Sequence, residues 1–188
     1  MKRYLSLLRI ITVAAIAAVS LHGQDVNWEK YSNKEYGYSI KYPAGWKITE
    51  AEPRRDNKAA YGGEILLPGE LQKISFSDTS DRYWPAQMQI RIIEIPQGKT
   101  YDLWVKEYEY SDSTDFNPVQ EVIDTVVSGR PAKKATLFNF DHTGQELILK
   151  HKHGVMLISY EGQNPNDKRN DWHREIFGKM IGNFKTGK

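Results

Sequence analysis

The chain has 188 residues, carries 26 Lys and Arg against 24 Asp and Glu, and contains no cysteine. The missing thiol excludes cysteine nucleophiles, dithiol exchange, disulfides and cysteine-ligated zinc. The near-balance of charge excludes the basic field that a phosphate backbone requires, so no nucleic acid is expected as partner.

In chain order, Lys2, Arg3 and Arg9 flank a run of apolar and small residues, Ile10 to Val19, interrupted by one Thr. The run is too short for the roughly 20 apolar residues of a spanning helix. It fits the apolar segment of a secretory leader, against the competing reading of a retained anchor. A signal peptide is expected over residues 1–23, with cleavage after Ser20 or Gly23, followed by one domain over residues 24–188. Removing the leader leaves 23 basic against 24 acidic groups, a formal charge of −1. The mature protein is expected to be exported, to the periplasm or beyond, as a monomer without stable membrane insertion.

Trp28 and Tyr31 could dock a short N-terminal turn or strand onto the core. Tyr38, Ile40 and Tyr42 then alternate with Ser39 and Lys41, the period of a half-buried strand. Pro43, Ala44 and Gly45 break it, and Trp46 and Ile48 resume the alternation. Glu50 to Asn57 reads as a charged loop around Pro53, and Ile65 to Leu67 is a short apolar run closed by Pro68 and Gly69. A strand is expected over Lys73 to Ser77, then a polar loop to Pro85. The central strand is Met88 to Ile95, with Met88, Ile90 and Ile92 on one face and Ile93 and Ile95 on the other, covered on both sides.

Thr100 reads as an N-cap, and Tyr101, Trp104, Val105 and Tyr108 form one helical stripe. After the polar loop Ser111 to Pro118, strands are expected over Val119 to Val127, Ala135 to Phe140, Glu146 to His151 and Val155 to Tyr160. Short turns at Ser128-Gly129-Arg130-Pro131, at Asp141 to Gly144 and at Lys152-His153-Gly154 make them an antiparallel meander. Asn164-Pro165 reads as a helix start. Trp172, Ile176, Met180 and Phe184, widened by Phe177 and Ile181, form its apolar stripe. Gly178 and Gly182 would let this helix approach the sheet, and Lys185 to Lys188 would fray.

The stretch YGYSIKYPAGW at 36–46, the SGRPA turn leading into a strand, and the terminal helix ending in an aromatic resemble the PsbP-like family, named from the lumenal extrinsic subunit of photosystem II. The resemblance spans nearly the whole mature chain. It implies an α+β fold, an α/β/α sandwich with helices on both faces of a mainly antiparallel sheet. Its motifs supply core residues and turns but no chemistry, and it implies a non-enzymatic accessory protein. Only a dozen or so residues stand between the leader and the first strand, where the photosynthetic subunit carries a docking extension. The cysteine that anchors cyanobacterial counterparts is absent. A photosystem II-associated extrinsic protein is therefore the secondary expectation, behind an exported binding or assembly module acting on an envelope protein complex.

No GxSxG elbow, phosphate-binding Gly-rich loop or HExxH occurs. Tyr83, Trp84 and Pro85, aromatics beside a rigid proline on a polar loop, are the candidate partner-binding surface, unless Trp84 folds over the core edge. His151 and His153, two apart, would share a strand face, and His142 or Asp141 could add a third ligand for zinc or copper in a metal-binding protein or metal-assisted hydrolase. Solvated histidines beside Lys150 and Lys152 are the plainer reading, and no resident cofactor is expected. Asp78 and Asp81, or Asp112 and Asp115, could offer oxygens to calcium but lack calcium-loop spacing and read as turn acids. His173 reads as a surface residue of the last helix.

Overall fold

The computed structural model describes residues 26–51, 69–80, 86–111, 119–139, 142–161 and 169–187. The leader, the loop after Glu50 with the run 65–67, the Tyr83-Trp84-Pro85 segment, Asp81, the loop 112–118, Asp141 and the Asn164-Pro165 start all lie outside them.

The aromatic alternation forms β2 (Tyr38–Pro43), which pairs antiparallel with β1 (Trp28–Asn33). Gly45, at φ +86°, turns the Pro-Ala-Gly corner, a left-handed conformation that costs glycine nothing. Ala44 N–H reaches Asn27 O at 2.7 Å to fix it. The chain then enters β3 (Lys47–Glu50), which pairs with β4 (Glu70–Ser77). β2 and β3 therefore serve different sheets.

The larger sheet has seven strands in the order β3-β4-β5-β9-β8-β7-β6, with β5 at Gln87–Ile93, β6 at Val119–Val127, β7 at Arg130–Asn139, β8 at His142–His151 and β9 at Gly154–Glu161. Every recorded pairing is antiparallel. The meander runs from β6 to β9; β7 begins earlier, at the β6–β7 turn, and β8 begins earlier, nearer the β7–β8 hairpin, than the apolar pattern alone indicates. Val127 and Arg130 pair across Ser128 (φ +52°) and Gly129 (φ +74°), the two positive values that a tight hairpin turn matched to strand twist demands. At the β8–β9 tip, Gly154 has φ +138°, and a Cβ there would lie 2.2 Å from Ile93 O, so only glycine fits.

Alternation sorts this sheet into two apolar faces. Ile74, Phe76, Met88, Ile90, Ile92, Met156 and Ile158 join the larger core, into which helix α2 (Arg169–Gly182) inserts Ile176, Phe177 and Met180 and β2 inserts Tyr38, Ile40 and Tyr42. Each fully buried Ile or Phe contributes about 1.5–3 kcal/mol. On the opposite face, helix α1 (Tyr101–Ser111) places Val105 against Ala135, Ile148, Val155 and Leu157, with Tyr101, Trp104 and Tyr108 packed around them. Thr100 Oγ1 accepts the Leu103 N–H at 3.2 Å, the expected cap.

Three expectations about the chain end need correction. Trp172 is 36% exposed, and the buried residue at that turn is His173, 2% exposed. Steps of four residues advance 400° around a helix, so a stripe of strict fours drifts; the buried line runs 173, 176/177, 180. Gly178 and Gly182 have nothing within 4 Å of an added Cβ and face away from the sheet. Residues 185–187 of the tail do not fray: β10 (Lys185–Thr186) pairs with β2, giving a small sheet β1-β2-β10, and Gly187 N–H donates to Gly37 O at 2.6 Å.

Candidate functional site

The loop expected to carry recognition, Tyr83-Trp84-Pro85, lies outside the described residues, but its stem is defined. Ser77 pairs with Gln87, and Asp78 N–H donates to Ala86 O at 3.0 Å. Asp78 Oδ1 accepts the Ser80 N–H at 2.9 Å, the side-chain-closed turn expected of an acid here. Its Oδ2 lies 2.9 Å from His173 Nε2 on α2. Since an ionised carboxylate only accepts, Nε2 carries the proton. Burial works to raise the Asp78 carboxyl, but the hydrogen bonds from His173 and Ser80 outweigh it and hold the group below its usual value. His173 Nδ1 is buried without a partner, and the ring is flanked by Trp46 and Trp172, centroids 6.3 and 4.9 Å away. Asp78 is therefore a turn acid with a second role: it ties the loop stem to a helix 95 residues away.

The three metal-candidate histidines do not converge. β8 is one continuous strand from His142 to His151, and nine residues of strand span about 30 Å. His142 cannot join the other two. His151 ends the strand while His153 sits in the turn, not on a shared strand face. Their rings lie 5.5 Å apart, centroid to centroid, but both nitrogens of His151 face backbone groups: Nε2 is 2.9 Å from Tyr36 O, and Nδ1 is 3.3 Å from His153 N. A metal ion at either nitrogen would have to displace one of these groups. Among the described residues no three His, Cys, Asp or Glu side chains are grouped to hold a metal ion.

The α1-facing side of the larger sheet holds a charge pair that sequence reading missed. Arg91 Nη2 lies 2.8 Å from Glu146 Oε1, and the Tyr108 hydroxyl donates to the other carboxylate oxygen. The Glu146 side chain is fully buried. Arg91 Nη1 lies 3.6 Å from Glu70 Oε1. Burial opposes the Arg91 charge, and the Glu146 carboxylate overcomes it, raising the guanidinium pKa above its ordinary value. The signal was present in QMQIRII: a strand covered on both faces leaves an inward charge no option but a partner. Neither this network nor the His173 pair sets a nucleophile beside a base, and both read as fastenings.

No protein-family model matches the chain, and no curated protein sequence matches it. Among solved structures, the chain is similar to the solution structure of cyanobacterial PsbP (CyanoP) from Synechocystis, at 15% identity and a TM-score of 0.57, over 92% of this chain and 99% of that one. The fold is PsbP-like. At this identity the likeness is one of fold. Among the described residues no helix is long and apolar enough to cross a membrane.

Proposed function

We infer that the chain is an exported, non-enzymatic binding module that attaches to a protein complex of the cell envelope through the loop carrying Tyr83, Trp84 and Pro85. An α/β/α sandwich serves it as a rigid mount, with α1 and α2 on opposite faces of the sheet. The observation that carries this reading is the Asp78–His173 bridge at 2.9 Å, which ties the loop stem to α2. A clamped stem limits the entropy that a presented loop loses on binding. The PsbP-like fold supports an accessory role, and at 15% identity it does not select a photosynthetic complex over another envelope complex.

The test is affinity isolation of the tagged mature protein from cross-linked envelope of its host. The expected result is one stoichiometric partner, lost with Trp84→Ala and retained with Trp172→Ala, which removes an exposed indole from α2 instead. Loss with both variants, or no partner with the parent protein, overturns the assignment of the loop.

A further inference from the structure

β6 ends the strand order of the larger sheet, and among the described residues nothing pairs with its outer side. The two-residue turn Ser128-Gly129 fixes which backbone groups face outward. Residues that flank such a turn exchange both N–H···O bonds, and bonded and non-bonded pairs then alternate along the ladder. Val127 and Arg130 are the flanking pair, so Glu121, Ile123 and Thr125 bond β7. Val122, Asp124 and Val126 turn their N–H and C=O groups away from it. Pro131, which has no N–H to give, stands opposite Val126 at a non-bonded place, as the alternation requires.

The side chains make this edge adhesive. Val127 is buried in the larger core and Val122 packs on the α1 side. Ile123 and Val126, by contrast, are 45% and 68% exposed. Sheets usually protect an edge by shortness, lysine or proline. The opposite edge, β3, has four residues with exposed Lys47 and Glu50 at its ends. β6 runs nine residues, VQEVIDTVV, with neither lysine nor proline, and its one irregularity falls between Val119 and Glu121. Its acids are compensated from β7: Lys133 Nζ lies 2.7 Å from Asp124 Oδ1, and Lys134 stands opposite Ile123 on the face that carries Glu121.

We propose that β6 pairs antiparallel with β6 of a second copy of this chain, about a twofold axis at Ile123, joining the two larger sheets into one. The segment Glu121 to Thr125 is complementary to itself around that axis. Glu121 meets Thr125, Val122 meets Asp124, and no acid opposes an acid. Val122 and Asp124 meet through their outward N–H and C=O groups. Ile123 meets its own copy at a non-bonded place, where Cα atoms approach to about 4.5 Å and side chains lie closest. Moving the axis to Asp124 would set two carboxylates face to face, and moving it to Val122 would leave Val126 beyond the end of the second strand. The irregularity lies outside the contact. Where the sequence suggested a monomer, the open edge supplies a closed, isologous pair.

Sedimentation equilibrium of the mature chain over a range of concentrations tests the pairing. The expected mass rises to about twice that of one chain and falls towards one on dilution. Ile123→Lys sets like charges together on the axis and should weaken association at least about tenfold, with far-UV circular dichroism unchanged. The chain has no cysteine, so Ile123→Cys places a single thiol beside its own copy and should oxidise to a covalent dimer. Val126→Cys is the control: it is the more exposed position, but in this register it lies about 20 Å from its copy and should stay reduced. A monomer at every concentration, open-ended oligomers, or an Ile123→Lys variant that associates like the parent overturns the proposal. So does cross-linking of Val126→Cys in preference to Ile123→Cys, and the two cysteine variants decide alone should Ile123→Lys not fold.

Discussion

Asp78 shows how much one carboxylate can hold. It closes its own turn on Ser80, anchors the β4–β5 stem, and satisfies the Nε2 of a histidine that is 2% exposed. Asp78→Ala should cost about 2–4 kcal/mol in urea unfolding at neutral pH, because it strands a buried imidazole. Asp78→Asn, which still offers an acceptor to Nε2–H, should recover a good part of that. The pH dependence has a definite sign. With the carboxyl held below its usual value, the contribution is present above about pH 3.9 and is lost as pH falls through the folded value. A loss below about 1 kcal/mol for Asp78→Ala would show that the bridge fastens nothing. Asp78 was legible as a turn acid from its Ser-Asp-Thr-Ser setting. Its partner was not, because nothing local distinguishes a buried histidine from an exposed one.

At the level of elements, apolar period identified each helix, and geometry then assigned its faces. The α1 stripe of Tyr101, Trp104, Val105 and Tyr108 packs as its spacing implies, with the Trp104 and Tyr108 rings stacked at 5.1 Å. On α2 the glycines face solvent, so their helix-propensity cost of about 1 kcal/mol each brings no packing return. Gly178→Ala should therefore stabilise the protein by about 0.5–1 kcal/mol, raising Tm by about 2–4 °C in a thermal melt. A destabilised variant would place a neighbour over that face. The tail was misread for a related reason. Lys185 and Thr186 carry no apolar signal, and their order comes from pairing with β2 and from the Ser128 hydroxyl on Phe184 O.

Across the whole molecule, the small sheet does not stand alone. Tyr38, Ile40 and Tyr42 share a core with Phe76, Met88, Ile158 and Phe184. Ring contacts from Tyr31 and Tyr42 to Phe76, at 5.8 and 5.4 Å, join the two sheets directly. One cooperative unit follows, and urea unfolding should give coincident transitions by tryptophan fluorescence and far-UV circular dichroism. An early fluorescence change would separate the aromatic ribbon from the larger sheet. At the margin of this unit, hydrogen bonds from His151 and Lys152 to the carbonyls of Tyr36 and Glu35 join the β8–β9 tip to the β1–β2 turn.

Sequence by itself determined what depends on neighbours along the chain: the period-two and 3.6-residue patterns, the Thr100 cap, the Ser128-Gly129 turn and the meander that short turns impose. Only the tertiary structure decided what depends on residues far apart. It sent β2 and β3 to different sheets, paired Arg91 with Glu146 and Asp78 with His173, carried His142 the length of a strand away from His151, and turned His151 from a candidate ligand into a backbone fastening. Hydrophobic period is a local property that a chain carries openly. Polar partners are chosen by whichever groups the fold brings within about 3 Å, and spacing along the chain holds no record of that choice.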